Sequence, residues 1–347
     1  MKYTVLGATG FIGSHVAALA RSLGHEVVCP GRDDNLDGQH LGHAIYSIGI
    51  TADFRRRPHD TVTAHVTKLQ EVLTRTSFDS LVYLSSTRVY ARCASPDEHF
   101  DSATRSELLP DSRSCSLPSA GRVREEGSVA SQFHLLPPSP ALPAEGRENE
   151  SPNYGKLFLA SPPAHPWPGI SEETAIPVLP SDFSDLYNLS KLMGESIALA
   201  SSPRVRVARL SNVVGPDFDS DNFILSVIRD CVRNGHVELK TSLDSAKDYV
   251  SVDDVAALLL QLGPTGSHSI YNVASGVNTT HGEITRELTQ LTGATVSVAD
   301  ASPTITFPRI DIRRAASEFH FTPRRLEGLL PALIAGLRTH LEHQPAA

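Results

Sequence analysis

The sequence is poor in cysteine and in long apolar runs. Only 4 of its 347 residues are cysteines, which lie far apart and form no Cys-x-x-Cys pair: Cys29, Cys93, Cys115 and Cys231. This pattern disfavours a disulfide framework or a metal site and favours a reduced, cytoplasmic setting. No apolar stretch reaches the roughly 18 residues that a membrane-spanning helix requires. Gly7 and Gly10 interrupt the first apolar run, so we expect no secretory signal peptide.

Positive charge is also in the minority. The chain has 31 lysines and arginines and 39 aspartates and glutamates, which gives a net charge of −8. That balance argues against a protein held to nucleic acid or to an anionic membrane by bulk charge. With 40% apolar and 20% charged residues, the composition excludes a collagen, a coiled coil and a wholly disordered chain. A chain of this length can bury a sizeable core and suggests about two domains.

The predicted secondary structure alternates between strand and helix. The N-terminal part predicts a strand at Tyr3–Leu6, a helix at Ser14–Leu23 and a strand at His25–Cys29. Further strands and helices are predicted at His43–Ile48, Thr61–Thr74, Ser80–Leu84, Asp185–Ala200 and Val205–Leu210. Such alternation implies an α/β fold with a Rossmann-like, doubly wound parallel sheet.

Residues 91–180 interrupt this pattern, since they hold 14 of the 24 prolines and the single tryptophan. We interpret 93–168 as an irregular, partly disordered insertion; a substrate lid or a partner-binding segment is the alternative. We expect the rest of the chain to form a larger Rossmann-like domain and a smaller C-terminal lobe. The first comprises 1–92 and 169–215, with 248–275 returning to it, and the lobe comprises 216–247 and 276–347.

A glycine-rich turn connects the first predicted strand to the first helix. Gly7-x-x-Gly10-x-x-Gly13 has the spacing of a dinucleotide-binding turn, in which the helix N-terminus offers N–H groups to a pyrophosphate. A plain tight turn is the alternative. We expect the cofactor to contact the turn at Gly7, Thr9, Gly10, Phe11, Ile12 and Gly13.

The end of the second strand bears on the choice of cofactor. NAD-binding proteins usually place an acidic residue there to bind the ribose hydroxyls, but this chain has Gly31 and Arg32. Arg32 would suit the 2′-phosphate of NADP, which we favour. NAD remains the alternative, because Asp33 and Asp34 follow closely and offer carboxylates to a ribose.

Tyr187 and Lys191 are four residues apart on a predicted helix and therefore share one of its faces. An ammonium group beside a phenol favours the phenolate, so such a tyrosine can exchange a proton with a substrate alcohol or carbonyl. Ser86 ends a predicted strand, at the sheet edge where ligands bind, and would hydrogen-bond the same substrate oxygen. A solvated helical pair is the alternative interpretation.

Together these motifs resemble the extended short-chain dehydrogenase/reductases, which include nucleotide-sugar epimerases, dehydratases and reductases. The matching segments, in order, are Gly7-Ala8-Thr9-Gly10-Phe11-Ile12-Gly13, Ser85-Ser86-Thr87-Arg88-Val89-Tyr90, Tyr187-Asn188-Leu189-Ser190-Lys191, Arg209-Leu210-Ser211-Asn212-Val213-Val214-Gly215-Pro216, Lys247-Asp248-Tyr249-Val250-Ser251-Val252-Asp253-Asp254 and Tyr271-Asn272-Val273-Ala274-Ser275-Gly276. The resemblance covers nearly the whole chain outside the insertion.

The resemblance implies a catalytic set of Ser86, Tyr187 and Lys191. Tyr187 would be the acid/base, Lys191 would lower its pKa and hold the nicotinamide ribose, and Ser86 would polarise the substrate oxygen. The resemblance also implies that the substrate contacts Asn212, Asn222 and Lys247, and that the chain forms a homodimer through helices including the Tyr–Lys helix.

Several positions depart from the family pattern. Only about ten residues separate Arg32 from the strand at His43, so we expect a sheet that is one strand short. Gly49 lies where alanine is usual. His65 takes the place of an asparagine, which puts a structural hydrogen bond in doubt; a surface helix residue is the alternative interpretation. Thr87-Arg88 replaces the Asp-Glu pair of 4,6-dehydratases, which argues against that reaction.

The sequence therefore predicts an NAD(P)-dependent epimerase or reductase of a sugar, with hydride transfer at the nicotinamide. The expected substrate is a small molecule, and a sugar nucleotide is favoured, although Lys247 lacks the two parallel N–H donors of the arginine usual there. A non-catalytic redox sensor or binding protein that retains the dinucleotide site is the alternative function.

Overall fold

The computed structural model describes residues 1–50, 53–93 and 169–343. The strands are β1 (Lys2–Leu6), β2 (Glu26–Val28), β3 (His43–Tyr46), β4 (Ser80–Ser86), β5 (Val205–Leu210), β6 (Asn212–Val214), β7 (His236–Leu239), β8 (Ala246–Ser251), β9 (Ile270–Val273), β10 (Asn278–Thr280) and β11 (Thr295–Val298). The α-helices are α1 (Phe11–Ser22), α2 (Pro58–Val62), α3 (Lys68–Arg75), α4 (Asp185–Ser201), α5 (Phe223–Asn234), α6 (Val252–Thr265), α7 (His281–Thr292), α8 (Arg313–Phe319) and α9 (Leu326–Glu342).

Six strands form a central sheet in the order β2-β1-β3-β4-β5-β9, and every neighbouring pair is parallel. Strands buried on both faces tend to be continuously apolar, as Ser80–Leu84 is after its first residue. Helices α1 and α6 cover one face, where Val16 and Val255 share a core with Val82. Helices α3 and α4 cover the other, where Leu69 and Ala198 share a core with Tyr83. The predicted doubly wound α/β fold is confirmed.

The connection between β2 and β3 is short. Within this fully described stretch there is neither a helix nor a strand, and His40 forms only an isolated bridge with Ser77. β2 consequently forms this edge of the sheet, next to β1. The expectation of a sheet shortened at this edge is confirmed.

Several of the elements after β5 build a second core. β8 pairs with β6 and β10 in a three-stranded sheet, and β7 pairs with β11. Apolar residues of α5, α7 and α9 pack together beside these strands, among them Ile228, Leu288 and Ile334. Apart from Cys93, the predicted insertion at 93–168 lies outside the described residues.

Two helices begin earlier than predicted. α1 starts at Phe11, because Gly10 serves as its N-cap, rather than at Ser14. The helix predicted at Thr61–Thr74 starts at Pro58, whose fixed φ suits a first helical position. A π-helical turn at Thr63–Thr67 joins α2 to α3, and this wider turn carries His65. Such turns are frequent at functional sites.

Candidate active site

The turn between β1 and α1 is built so closely that only glycine fits at two positions. Gly7 has a φ of +88°, which side chains disfavour. A Cβ atom at Gly13 would lie 2.3 Å from the carbonyl oxygen of Gly7 and 2.6 Å from Oγ of Ser47. Ser47 is itself fixed, since its hydroxyl donates a 2.7 Å hydrogen bond to the carbonyl of Leu6. The turn therefore brings the start of α1 directly against the ends of β1 and β3.

The N-terminus of α1 is open to a ligand. No side chain caps it at Gly10, and Thr9 and Gly10 are exposed, while Phe11 and Ile12 are half-buried. Uncapped N–H groups and the positive end of the helix dipole are the features that bind a pyrophosphate. These residues fit a dinucleotide, as the sequence predicts.

The loop after β2 presents groups of both charges. Arg32 is exposed and forms no ion pair within the part of the chain that the structure describes. The carboxylate of Asp34 folds back and accepts a 2.8 Å hydrogen bond from the N–H of Gly31. An adenosine ribose bound at this edge would meet both the guanidinium and the carboxylate.

Tyr187 and Lys191 lie on α4 and are both buried. The Nζ atom of Lys191 donates a 2.8 Å hydrogen bond to the carbonyl oxygen of Leu84 on β4. Burial lowers the pKa of this ammonium group to about 7, and the carboxylate of Glu195 only partly opposes the shift. The Tyr187 ring packs against Phe54, with 5.5 Å between ring centroids.

Ser86 is the last residue of β4, two positions beyond the carbonyl that Lys191 binds. Its Oγ atom accepts a 3.2 Å hydrogen bond from the backbone N–H of Arg88, because Ser86 caps a short 3₁₀ turn at Thr87–Tyr90. The hydroxyl hydrogen has no acceptor among the described residues and is available to a ligand oxygen. The structure thus gathers Ser86, Tyr187 and Lys191 at the carboxyl end of β4.

His65 is fully buried beside Tyr187, so the surface alternative for this residue is wrong. Its Nε2 atom accepts a 3.3 Å hydrogen bond from the N–H of Ile50, which leaves Nδ1 to carry the proton and donate to Oγ of Ser190 at 2.8 Å. Ser190 in turn donates to the carbonyl of Tyr187 at 2.8 Å. Burial and the nearby Lys191 charge lower the pKa of His65 to about 2. The neutral imidazole therefore connects the π-helical turn to α4.

Arg88 is a site residue whose place the sequence did not reveal. Its guanidinium carbon lies 5.3 Å from the centroid of the Tyr187 ring and 4.8 Å from that of Phe54. Burial, followed by repulsion from Arg55, lowers the pKa of Arg88, while Tyr187 attracts the charge. The only sequence signal at this position was that Thr87-Arg88 replaces the Asp-Glu pair of 4,6-dehydratases. It indicated that the site lacks the dehydratase acids, but not which ligand Arg88 binds.

Three predicted substrate residues lie on the C-terminal elements. The side-chain amide of Asn212, an exposed residue, donates a 2.8 Å hydrogen bond to the carbonyl of Asp248. Lys247 on β8 is half-buried, and burial lowers its pKa. Asn222 caps α5, where its Oδ1 accepts a 3.0 Å hydrogen bond from the N–H of Leu225, so part of its amide already serves the fold.

An aromatic pair lies beside these C-terminal residues. Phe223, next to the Asn222 cap, stacks on His281 with 4.1 Å between ring centroids and 19° between their planes. Burial and the charge of Lys247 lower the pKa of His281 to about 4, which keeps this imidazole neutral. The stacked pair thus lies next to Asn222 in the chain and within electrostatic reach of Lys247.

In residues 1–50, 53–93 and 169–343, no group of three or more His, Cys, Asp and Glu side chains is arranged to hold a metal ion. Over the same ranges, no helix combines the length and apolarity that crossing a membrane would need.

Comparison with known proteins places the chain among enzymes that bind nicotinamide dinucleotides. The model of the NAD dependent epimerase/dehydratase family matches residues 3–114 and 157–274. No curated protein matches the chain. The family match extends from the glycine turn to the strand β9 and so includes Ser86, Tyr187, Lys191, Asn212 and Lys247.

Solved structures share the fold over nearly the full length. MoeE5 in complex with UDP-glucose and NAD is 19% identical, with 98% of this chain and 100% of that chain covered and a TM-score of 0.66. UDP-glucuronic acid 4-epimerase from Bacillus cereus in complex with NAD is 15% identical, with coverage of 100% and 99% and a TM-score of 0.66. RMD from Pseudomonas aeruginosa complexed with NADPH is 18% identical, with coverage of 98% and 100% and a TM-score of 0.62.

Proposed function

The chain belongs to the NAD dependent epimerase/dehydratase family, and on that premise we propose that it is an NAD(P)-dependent epimerase or reductase of a sugar nucleotide. It is an enzyme of the extended short-chain dehydrogenase/reductase type, and its cofactor is a nicotinamide dinucleotide. The finer proposal concerns the substrate, the residues that act on it and the choice of dinucleotide.

One observation carries this proposal. The buried Lys191 ammonium reaches the carbonyl of Leu84 at 2.8 Å, which fixes the Tyr187 helix against the strand that ends in Ser86. An acid/base hydroxyl, a cation and a free serine hydroxyl thus meet at the sheet edge where α/β enzymes bind ligands. Open N–H groups at the start of α1 lie at the end of β1, which β3 separates from β4, along the same edge of the sheet.

In the proposed reaction each residue has one task. A bound nicotinamide dinucleotide supplies hydride chemistry at a sugar carbon. Tyr187 transfers a proton to or from the oxygen on that carbon, and Lys191 holds a positive charge near the phenol that favours its ionised form. Ser86 donates its free hydroxyl hydrogen to the same oxygen, which stabilises the charge that develops on it.

The nucleotide part of the substrate is assigned to the C-terminal elements. Lys247 would neutralise phosphate charge, and Asn212 and Asn222 would offer amide groups to the sugar nucleotide. Similar structures in complex with UDP-glucose and UDP-glucuronic acid support this class of substrate. We accordingly retain the division into a dinucleotide-binding domain (1–92, 169–215 and 248–275) and a substrate lobe (216–247 and 276–347).

For the dinucleotide, we propose NADP, with Arg32 on the 2′-phosphate and NAD as the alternative. Support comes from the exposed guanidinium without an ion pair among the described residues, whereas Asp34 is engaged by Gly31. Mass spectrometry of the dinucleotide released on denaturation, together with titrations of NADPH and NADH, tests this choice. NADPH preferred at least tenfold, with the preference lost in Arg32→Ala, is the expected result; tightly retained NAD would contradict it.

Replacement of Tyr187 by phenylalanine tests the catalytic proposal. We expect turnover of a UDP-sugar to fall about 10²- to 10⁴-fold, while dinucleotide binding changes little, because only the proton-transfer group is removed. Tyr249→Phe is a matched control, since its buried hydroxyl has no hydrogen-bond partner among the described residues. Unchanged turnover in Tyr187→Phe would refute the catalytic assignment, whereas dinucleotide binding without any turnover by the wild type would favour a binding protein or redox sensor.

A further inference from the structure

Two arginine side chains flank the Phe54 ring beside Tyr187, and a lysine lies within electrostatic reach of one of them. The guanidinium carbons of Arg55 and Arg88 lie 4.6 and 4.8 Å from the centroid of the same Phe54 ring. Lys247 lies close enough that the charge of Arg88 lowers its pKa, after the larger effect of burial. Within the described ranges, none of the three forms an ion pair with a carboxylate. Like charges gathered in a partly buried site repel one another, so the arrangement is unfavourable until an anion arrives.

The carboxylates closest to Arg88 are already engaged. Asp182 and Asp185 attract its charge from a distance, but both accept hydrogen bonds from Arg92. Asp185 also accepts hydrogen bonds from the backbone N–H of Leu179 and from the side chain of Asn188. The guanidinium of Arg88 therefore has aromatic faces beside it and no acceptor of its own among the described residues. All its N–H donors remain for a ligand.

The position of Arg88 defines which part of a ligand it meets. It follows Ser86 by two residues on the same 3₁₀ turn, and its guanidinium lies over the Tyr187 ring at 5.3 Å. An anion bound there would lie beside the sugar carbon that Ser86 and Tyr187 act on. Lys247, on a strand of the separate sheet with β6 and β10, is available to the phosphates at the same time.

We propose that Arg88 is a specificity-determining residue that binds a carboxylate on the sugar ring, so that the preferred substrate is a nucleotide-linked uronic acid. This inference rests on the proposed function and narrows its substrate. The planar guanidinium matches a carboxylate with two parallel N–H···O bonds, a geometry that a lysine would not supply. The flanking rings of Phe54 and Tyr187 hold the guanidinium plane in place and exclude water from one side of it.

UDP-glucose and UDP-glucuronic acid test the inference, because they differ only in a hydroxymethyl or a carboxylate group on the sugar. Their dissociation constants would be measured by calorimetry on the full-length protein saturated with dinucleotide. We expect wild-type protein to bind UDP-glucuronic acid about 10- to 100-fold more tightly, the range for a charge-assisted pair. In Arg88→Met this preference should vanish while UDP-glucose affinity changes less than threefold.

Two further variants sharpen the comparison. Arg88→Lys keeps the positive charge but loses the two parallel N–H donors of the guanidinium. We expect this variant to retain only part of the preference for UDP-glucuronic acid. Arg57→Met removes an exposed arginine that pairs with Asp60, and we expect wild-type affinities for both ligands. Circular dichroism would verify that each variant is folded.

Three results would overturn the inference. The first is equal affinity of the wild type for the two sugar nucleotides. The second is an equal loss of both affinities in Arg88→Met. The third is a shift of the pH–rate profile in Arg88→Met that is the same for both substrates, which would mean that Arg88 acts on the Tyr187 phenol. A different result would refute the proposed function itself, namely that the dinucleotide-saturated wild type binds neither UDP-glucose nor UDP-glucuronic acid. In that case the inference about Arg88 is refuted as well.

Discussion

His65 occupies the space that a side chain at Gly49 would need. A Cβ atom built on Gly49 would lie only 3.3 Å from Nε2 of His65. The imidazole cannot move away freely, because Ile50 donates to Nε2 and Nδ1 donates to Ser190. The histidine at 65 and the glycine at 49, which depart from the family pattern separately, thus form one packing arrangement.

We expect the effects of Gly49→Ala and His65→Asn on stability to be coupled. In the wild-type background the added methyl group should destabilise the protein by about 1 kcal/mol, because it crowds a fixed ring. In the His65→Asn background the same methyl group finds room and should be neutral or stabilising. Urea unfolding of the two single variants and the double variant gives the coupling energy, expected at about 1–2 kcal/mol. Additivity within about 0.5 kcal/mol would contradict the arrangement.

His65 should also make the protein sensitive to acid. Its pKa is about 2 in the folded state and 6.5 by reference, so below pH 6.5 the unfolded chain binds a proton that the folded chain excludes. Stability present above pH 6.5 is therefore lost as pH falls, by up to about 1.4 kcal/mol per unit. Between pH 7.5 and 5.5, we expect His65→Asn to lose about 1 kcal/mol less than wild type.

The control for this measurement is His59→Asn, which changes an exposed histidine four residues before the π-helical turn. It should follow the wild-type pH dependence. If His65→Asn also follows the wild-type curve, the buried imidazole does not carry the predicted linkage.

Gly13→Ala should impair cofactor binding and stability together. The new methyl group would lie 2.3 Å from the carbonyl oxygen of Gly7, so either the turn opens or α1 shifts. We expect a loss of about 2 kcal/mol or more in unfolding free energy and at least tenfold weaker dinucleotide binding. Gly328→Ala in α9 is the matched control, since nothing lies within 4 Å of its new methyl group. It should be neutral or stabilise by up to about 1 kcal/mol.

Glu195 holds the central sheet to α4 through a buried ion pair. Its Oε2 lies 2.6 Å from Nη2 of Arg209, and its Oε1 accepts a 2.5 Å hydrogen bond from Ser85. Glu195→Ala would leave the Arg209 charge buried without a carboxylate partner, which typically costs about 3–5 kcal/mol. The unfolding free energy measured in urea checks this value.

A surface ion pair gives the comparison for that experiment. Asp60→Ala removes the exposed partner of Arg57 and should change stability by less than about 1 kcal/mol. If Glu195→Ala and Asp60→Ala lose similar amounts of unfolding free energy, burial of the Glu195–Arg209 pair does not add to its contribution to stability.

Much of the fold was predictable because its signals are local. The alternation of strands and helices predicted the doubly wound sheet, and the short segment after Arg32 predicted its missing strand; both are confirmed. The family resemblance, drawn from ordered motifs, is confirmed by the family match over residues 3–114 and 157–274. Helix starts were less accurate, because caps and π-helical turns depend on a few backbone angles that periodicity does not encode.

The roles of the individual site residues remain predictions. The structure brings Ser86, Tyr187 and Lys191 to the carboxyl end of β4. Asn222 differs, since its amide is engaged as a helix cap. The position of Arg88 over the Tyr187 ring had no sequence signal, because a ring contact depends on the fold of segments that are about a hundred residues apart.

The sequence by itself determined the order of elements, the glycine turn and the shared helical face of Tyr187 and Lys191. Each of these depends on residues within a few positions of one another, where backbone geometry is fixed by residue type. Only the tertiary structure decided which side chains are buried and which charges face each other. His65 and Ser190 are 125 residues apart in the chain yet hydrogen-bonded, and the low pKa of Lys191 comes from the burial that the folded chain imposes. Desolvation and electrostatics are properties of the assembled site, so no local pattern in the sequence encodes them.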